Sequence, residues 1–60
     1  MSYYRIFFKV TDQGGIQKDK QVNIGDDTTP STLEEATTAY AELVKDPAIT
    51  SDIDKILKIN

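Results

Sequence analysis

Tyr3-Tyr4-Arg5-Ile6-Phe7-Phe8-Lys9-Val10 alternates: in strand geometry Tyr4, Ile6, Phe8 and Val10 point to one face, and Tyr3, Arg5, Phe7 and Lys9 to the other. The first set is wholly apolar, and the second still carries two aromatic rings. An edge strand on a one-sided sheet needs only one apolar face, so this segment predicts a central strand with a neighbour on each side. Every later segment is read by how it would pair with this strand or cover it.

Thr11-Asp12-Gln13-Gly14-Gly15 follows as a turn whose glycines can take positive φ. Residues 16–24 then alternate as a polar second strand, with Lys18, Lys20, Val22 and Ile24 on one face and Gln17, Asp19, Gln21 and Asn23 on the other. If the two strands share one buried face, even-numbered residues oppose even-numbered ones, and the loop must have odd length. Asp12-Gln13-Gly14 with Gly14 left-handed meets that condition, and a longer loop or a bulge would also restore it. A strand this polar belongs at a sheet edge, with the Lys18 and Lys20 stems lying along the core margin.

After the connector Gly25-Asp26-Asp27-Thr28-Thr29-Pro30 comes the clearest helix signal in the chain. Ser31 and Glu34 fit a capping box, and Glu34 and Glu35 stand near the positive end of the dipole. At 100° steps Leu33, Ala36, Thr37, Tyr40, Leu43 and Val44 form one stripe. Glu34, Glu35, Thr38, Ala41, Glu42 and Lys45 cover the other side. Pro47 disfavours helical geometry at Asp46 and ends the helix there. The last segment fits either a helix, with Ile49, Ile53, Ile56 and Leu57 at helical spacing, or a strand, with Ile53, Lys55, Leu57 and Ile59 facing in and Asp54, Ile56 and Lys58 facing out. The central strand's second edge needs a partner, which favours the strand.

The expectation is therefore one α+β domain over residues 1–60: strands 3–11 and 16–24, helix 32–45 and strand 53–59. They make a ββαβ arrangement whose three-stranded antiparallel sheet has the order 2-1-3 under one helix, with ββαα as the alternative. Thr32-Leu33-Glu34-Glu35-Ala36 after two strands resembles, in element order, compact phage proteins of strand-strand-helix-strand design such as the RNA polymerase inhibitors of T7-like phages. That likeness implies a small regulatory protein and transfers no functional residue.

Composition narrows the functions. A chain of 6.7 kDa buries roughly 6,000 Å² on folding. With about 60 % of that apolar, the gain is on the order of 90 kcal/mol, and ordering sixty residues costs about the same. Small chains usually add a disulfide, a metal or a second subunit. With no Cys and no His, only oligomerisation or a well-packed minimal core remains. Thiol and imidazole catalysis are also gone, and a catalytic pocket of roughly 300–1,000 Å³ is hard to carve from so small a domain. No enzyme activity, cofactor or metal is expected. The paired Asp26-Asp27 lacks the alternating ligands and closing Glu of an EF-hand loop. No secretory or membrane-spanning segment is read, and the absence of Cys agrees with a cytoplasmic home.

Charge is segregated along the chain. Residues 1–25 hold Arg5, Lys9, Lys18 and Lys20 against Asp12 and Asp19, whereas residues 26–54 hold eight acids and one base, Lys45. A basic sheet side and an acidic helix side follow. One helix leaves the other sheet face open, and that face is expected to present Tyr3, Arg5, Phe7, Lys9, Ile56 and Lys58. Two uses compete for it: burial by a second copy or another protein, and base stacking with single-stranded nucleic acid. Net charge −3 and a pI near 4.6 disfavour nucleic acid, because little counterion release is available. A second candidate surface is the acidic helix face of Glu34, Glu35, Thr38 and Glu42, which suits a basic partner. The reading is a homo-oligomeric protein-interaction module that binds, and so inhibits or adapts, another protein. The alternative is a single-stranded nucleic-acid module.

Overall fold

The computed structural model describes residues 2–60. In chain order β1 is Tyr3–Thr11, β2 is Gln17–Ile24, α1 is Leu33–Leu43 and β3 is Thr50–Ile59. The sheet is antiparallel in the order β2-β1-β3, with β1 central. The final segment is a strand, so the ββαα alternative falls. No helix among the described residues is long and apolar enough to cross a membrane.

The first hairpin keeps the expected parity with a different loop. Even residues oppose even ones, Tyr4 with Ile24 and Ile6 with Val22. Gly15, not Gly14, takes the positive φ of 81°. The Gly15 N–H donates to the Asp12 carbonyl at 3.0 Å and the Asp12 N–H to the Ile16 carbonyl at 3.1 Å, which makes Gln13-Gly14-Gly15 the loop. The Asp12 carboxylate fixes this choice by accepting from the N–H groups of Gly14 and Ile16 at 2.8 and 3.0 Å. The resulting register sets Val22 against the fully buried Ile6. A loop one residue earlier would have set Lys20 there.

The helix cap also lies one residue later than its spacing suggested. Thr32, not Ser31, is the N-cap: its hydroxyl accepts from the Glu35 N–H at 3.1 Å, and the Glu35 carboxylate accepts from the Thr32 N–H at 2.9 Å. Ser31 ties the connector to the sheet instead, donating its hydroxyl to the Ile24 carbonyl and its N–H to the Ser2 carbonyl. The connector passes so close to β1 that residue 25 must be glycine. Its φ is +90°, and a Cβ there would stand 2.7 Å from the Thr29 carbonyl oxygen and 3.0 Å from the Tyr3 Cβ. Asp26 holds the next turn, accepting from the Thr28 hydroxyl, the Thr28 N–H and the Thr29 N–H. Those bonds, the side-chain one first, lower its pKa below the ordinary carboxylate value.

The core is Ile6 and Phe8 of β1 with Ala36 and Tyr40 of α1, edged by Tyr4, Val10, Val22, Ile24, Val44 and Ile56. Phe8 and Tyr40 meet edge to face, 5.1 Å between centroids at 75°, the favoured geometry for two aromatic quadrupoles. The helix runs over β1 and β2 and makes no comparable contact with β3. Leu33 and Leu43, expected in the buried stripe, are 50 % and 56 % exposed. The molecule is elongated, with a radius of gyration of 12.3 Å against about 10 Å for a compact domain of this length. Its surface of 4300 Å² exceeds the roughly 3,900 Å² typical of its mass.

The Tyr40 hydroxyl is shut off from solvent and meets no partner among the described residues. Tyr40→Phe removes that orphan and keeps the ring contact, so it is expected to stabilise the fold by about 1 kcal/mol and raise the melting temperature by several degrees; a clear drop would show that the hydroxyl is bonded. Asp26 sets an acid limit. With its folded pKa depressed, its contribution is fully present above the unfolded value near 4 and is lost as pH falls through the folded pKa. Asp26→Asn is therefore expected to flatten the acid side of the stability–pH curve; an unchanged curve would remove this turn from the acid-sensitive contacts.

Candidate functional site

A single extra residue in β3 decides what the open sheet face contains. From Tyr3↔Ile59 to Phe7↔Lys55 the β1–β3 register is regular; it then shifts, so that Phe8 opposes Ile53 and Val10 opposes Ser51. Asp54 is left without a partner, as in a β-bulge, and the facing pattern reverses across it. Ile53 and Ile56, three residues apart, thereby come to the same helix-side face. An unbroken strand would have turned one of them away.

This corrects two sequence-based placements. Ile56 and Lys58 do not lie on the open face: they oppose Ile6 and Tyr4 on the helix side, and Ile56 packs against the core. Lys55, Leu57 and Ile59, expected to face in, instead share the open face with Phe7, Arg5 and Tyr3. Ile53 does face the helix side, as expected. Tyr3, Arg5, Phe7 and Lys9 occupy the open face as the alternation implied, with Asn23, Gln21 and Asp19 opposite the last three.

The electrostatics of that face also differ from the basic surface expected. Arg5 Nε donates to the Asn23 Oδ1 at 2.8 Å. Lys9 Nζ lies 3.8 Å from Asp54 Oδ1, and Lys9 is flanked by Asp19 and Asp52 on its two neighbouring strands. Lys55 Nζ sits 4.7 Å from the Phe7 ring centroid, a cation–π contact. Three bases therefore meet three acids, Asp19, Asp52 and Asp54, and the face is balanced. The basic excess of the sheet resides in Lys18, Lys20 and Lys58 on the helix side. Apolar area on the open face is gathered at one corner, where Tyr3, Phe7, Leu57 and Ile59 adjoin.

The acidic helix face is in place: Glu34, Glu35, Thr38 and Glu42 are all exposed. Glu35 is already engaged in the capping box, which leaves Glu34 and Glu42 as its freest charges. An open groove of about 510 Å³ was not foreseen. It runs between the end of α1 and β2 and is lined chiefly by Phe8, Val10, Val22, Leu43, Val44 and Ile49. Its signal in the sequence was the width of the helix stripe, which at Leu43 exceeds what one short helix can bury. Among the described residues no acidic cluster has metal-ligand geometry.

Unequal costs are expected at neighbouring positions of β3. Ile56→Asp places a carboxylate against the core margin and is expected to cost more than about 2 kcal/mol. Leu57→Asp, at a side chain already 42 % exposed, is expected to cost about 1 kcal/mol or less. Thermal or urea melts in dilute solution check this, and the reverse order would restore the unbroken strand.

No family model, curated protein or solved structure matches this chain, so each surface stands on its own geometry.

Proposed function

We propose that the chain is a non-catalytic protein-interaction module that self-associates and works by occupying the surface of another protein, so inhibiting or adapting it. The observation that supports this most is β3. It is an unpaired edge strand with aliphatic side chains on both of its faces, Ile53 and Ile56 toward the helix side, Leu57 and Ile59 toward the open side. Strands with two apolar faces are normally interior to a sheet and covered on both sides. Ile53 at 43 % and Leu57 at 42 % exposure are area that a second chain would remove from water. On this reading the corner of Tyr3, Phe7, Leu57 and Ile59 meets the target protein, and Glu34 and Glu42 face outward to meet a basic patch.

The stacking alternative has less behind it. The Lys55 ammonium lies over the Phe7 ring that a base would use, and the open face has no net positive charge to draw a phosphate backbone.

In light scattering at high micromolar concentration the protein is expected to run above 6.7 kDa. A 6.7 kDa species throughout would remove self-association from the proposal. Fluorescent single-stranded oligonucleotides are expected to bind no tighter than the roughly 10⁻⁴–10⁻⁶ M of non-specific contacts at physiological salt. Submicromolar affinity that disappears in Phe7→Ala would transfer the open face to nucleic acid.

A further inference from the structure

The bulge makes β3 self-complementary. Along the strand, residues 50, 52, 54, 55, 57 and 59 lie toward the open face and 51, 53, 56 and 58 toward the helix side. That order is a palindrome about the point between Asp54 and Lys55. If a second β3 lies antiparallel alongside, related by a two-fold axis through that point, every residue opposes one that points to the same face: Thr50 with Ile59, Ser51 with Lys58, Asp52 with Leu57, Ile53 with Ile56 and Asp54 with Lys55. Shifting the register by one residue in either direction sets helix-side residues against open-side ones along nearly the whole strand, and shifting it by two does so at the two central pairs.

We infer that two copies of this chain join β3 to β3 in that register, giving a continuous six-stranded antiparallel sheet. The inference rests on the self-association proposed above and assigns it to the strand edge instead of the open face. Charge and apolar pattern agree with it independently. On the open side Asp54 of each copy meets Lys55 of the other across the axis, and Asp52 lies diagonal to the same lysine; opposite charges in these positions stabilise strand pairs. On the helix side Ile53 and Ile56 meet their counterparts in a cluster of four isoleucines. That cluster fills the strip of sheet that α1, lying over β1 and β2, leaves uncovered. The other edge does not offer this, since residues 17–21 of β2 are exposed and polar. Pairing also satisfies the outward backbone groups of a ten-residue edge that would otherwise invite indiscriminate strand addition. A two-fold contact of this kind closes on itself and leaves both open faces on the same side of the enlarged sheet, available to a target.

The test uses charge exchange across the axis. Asp54→Lys alone sets lysine against lysine, and Lys55→Asp alone sets aspartate against aspartate, so each is expected to raise the dimer dissociation constant about tenfold or more. In an equimolar mixture of the two variants, one copy carries lysine at both positions and the other carries aspartate at both. Opposite charges then face each other at both sites, so the heterodimer is expected to return to wild-type affinity in sedimentation or dilution light scattering. Hydrogen exchange of the wild type supplies a measurement that requires no variant to fold. Amides of residues 50–59 are expected to gain protection as concentration rises, and those of residues 17–24 are not. A wild-type oligomer whose affinity ignores both charge changes, or whose β3 amides stay concentration-independent, overturns the edge pairing while leaving self-association standing. A wild type that is monomeric at high micromolar concentration overturns both.

Discussion

Phe8 and Tyr40 meeting edge to face, with Ile6 and Ala36 beside them, are the contact on which the rest of this structure depends. These four residues form the buried core among the described residues, and they come from one strand and one helix. Everything else is arranged to hold that strand and that helix together. The hairpin register sets Val22 beside Ile6, and the bonds of Ser31 to Ile24 and Ser2 pull the start of α1 down onto the sheet. The close pass at Gly25 leaves no room for a side chain. A core this small has little margin: burying one aliphatic side chain is worth roughly 1.5–3 kcal/mol, a large part of the stability of any domain of this size.

The small core explains why so much apolar surface remains outside it. A helix of eleven residues is about 16 Å long, and β3 with ten residues is about 33 Å. Laid over β1 and β2, the helix covers neither the third strand nor the far ends of the sheet. Leu33, Leu43, Ile53 and Leu57 are among the residues left over. They do not form one patch. Leu43 borders the groove beside β2, Ile53 lies on the uncovered strip of β3, and Leu57 belongs to the open face. A partner for one of these surfaces would leave the others unchanged, which is why self-association and target binding can use separate faces.

Charge follows the same geometry. The sequence is divided into basic ends and an acidic middle, and folding places six basic side chains on the strands and Glu34, Glu35 and Glu42 on the helix. Within the sheet, however, the bases divide by face. Arg5, Lys9 and Lys55 share the open side with three aspartates, and Lys18, Lys20 and Lys58 rim the helix side. The open face therefore selects by shape and apolar area more than by net charge. The acidic helix face, by contrast, keeps an unbalanced field in which Glu34 and Glu42 have no cation partner among the described residues.

The last strand, and with it the 2-1-3 order, was read from the central strand's need for a second neighbour, whereas local patterns in the sequence were enough for the strand character of Tyr3–Val10, the polar second strand and the helix. They rest on interactions within a few residues: alternation along a strand, Gly in the turns, a helix stripe, a proline after it. The caps themselves needed more. Ser31 and Thr32 carry the same hydroxyl, and the choice between them was made by the Ile24 carbonyl, seven residues from Ser31 in the chain and adjacent only in the fold. Which face Ile56, Leu57, Lys58 and Ile59 occupy was likewise decided in three dimensions. Period-two alternation fixes the phase of a strand only while it is unbroken. At Asp54 the alternation breaks and Ile53 comes to the same side as Ile56; Ile56 packs against a core that exists only once β1 and the helix are in place, and Ile53 stays 43 % exposed beside it.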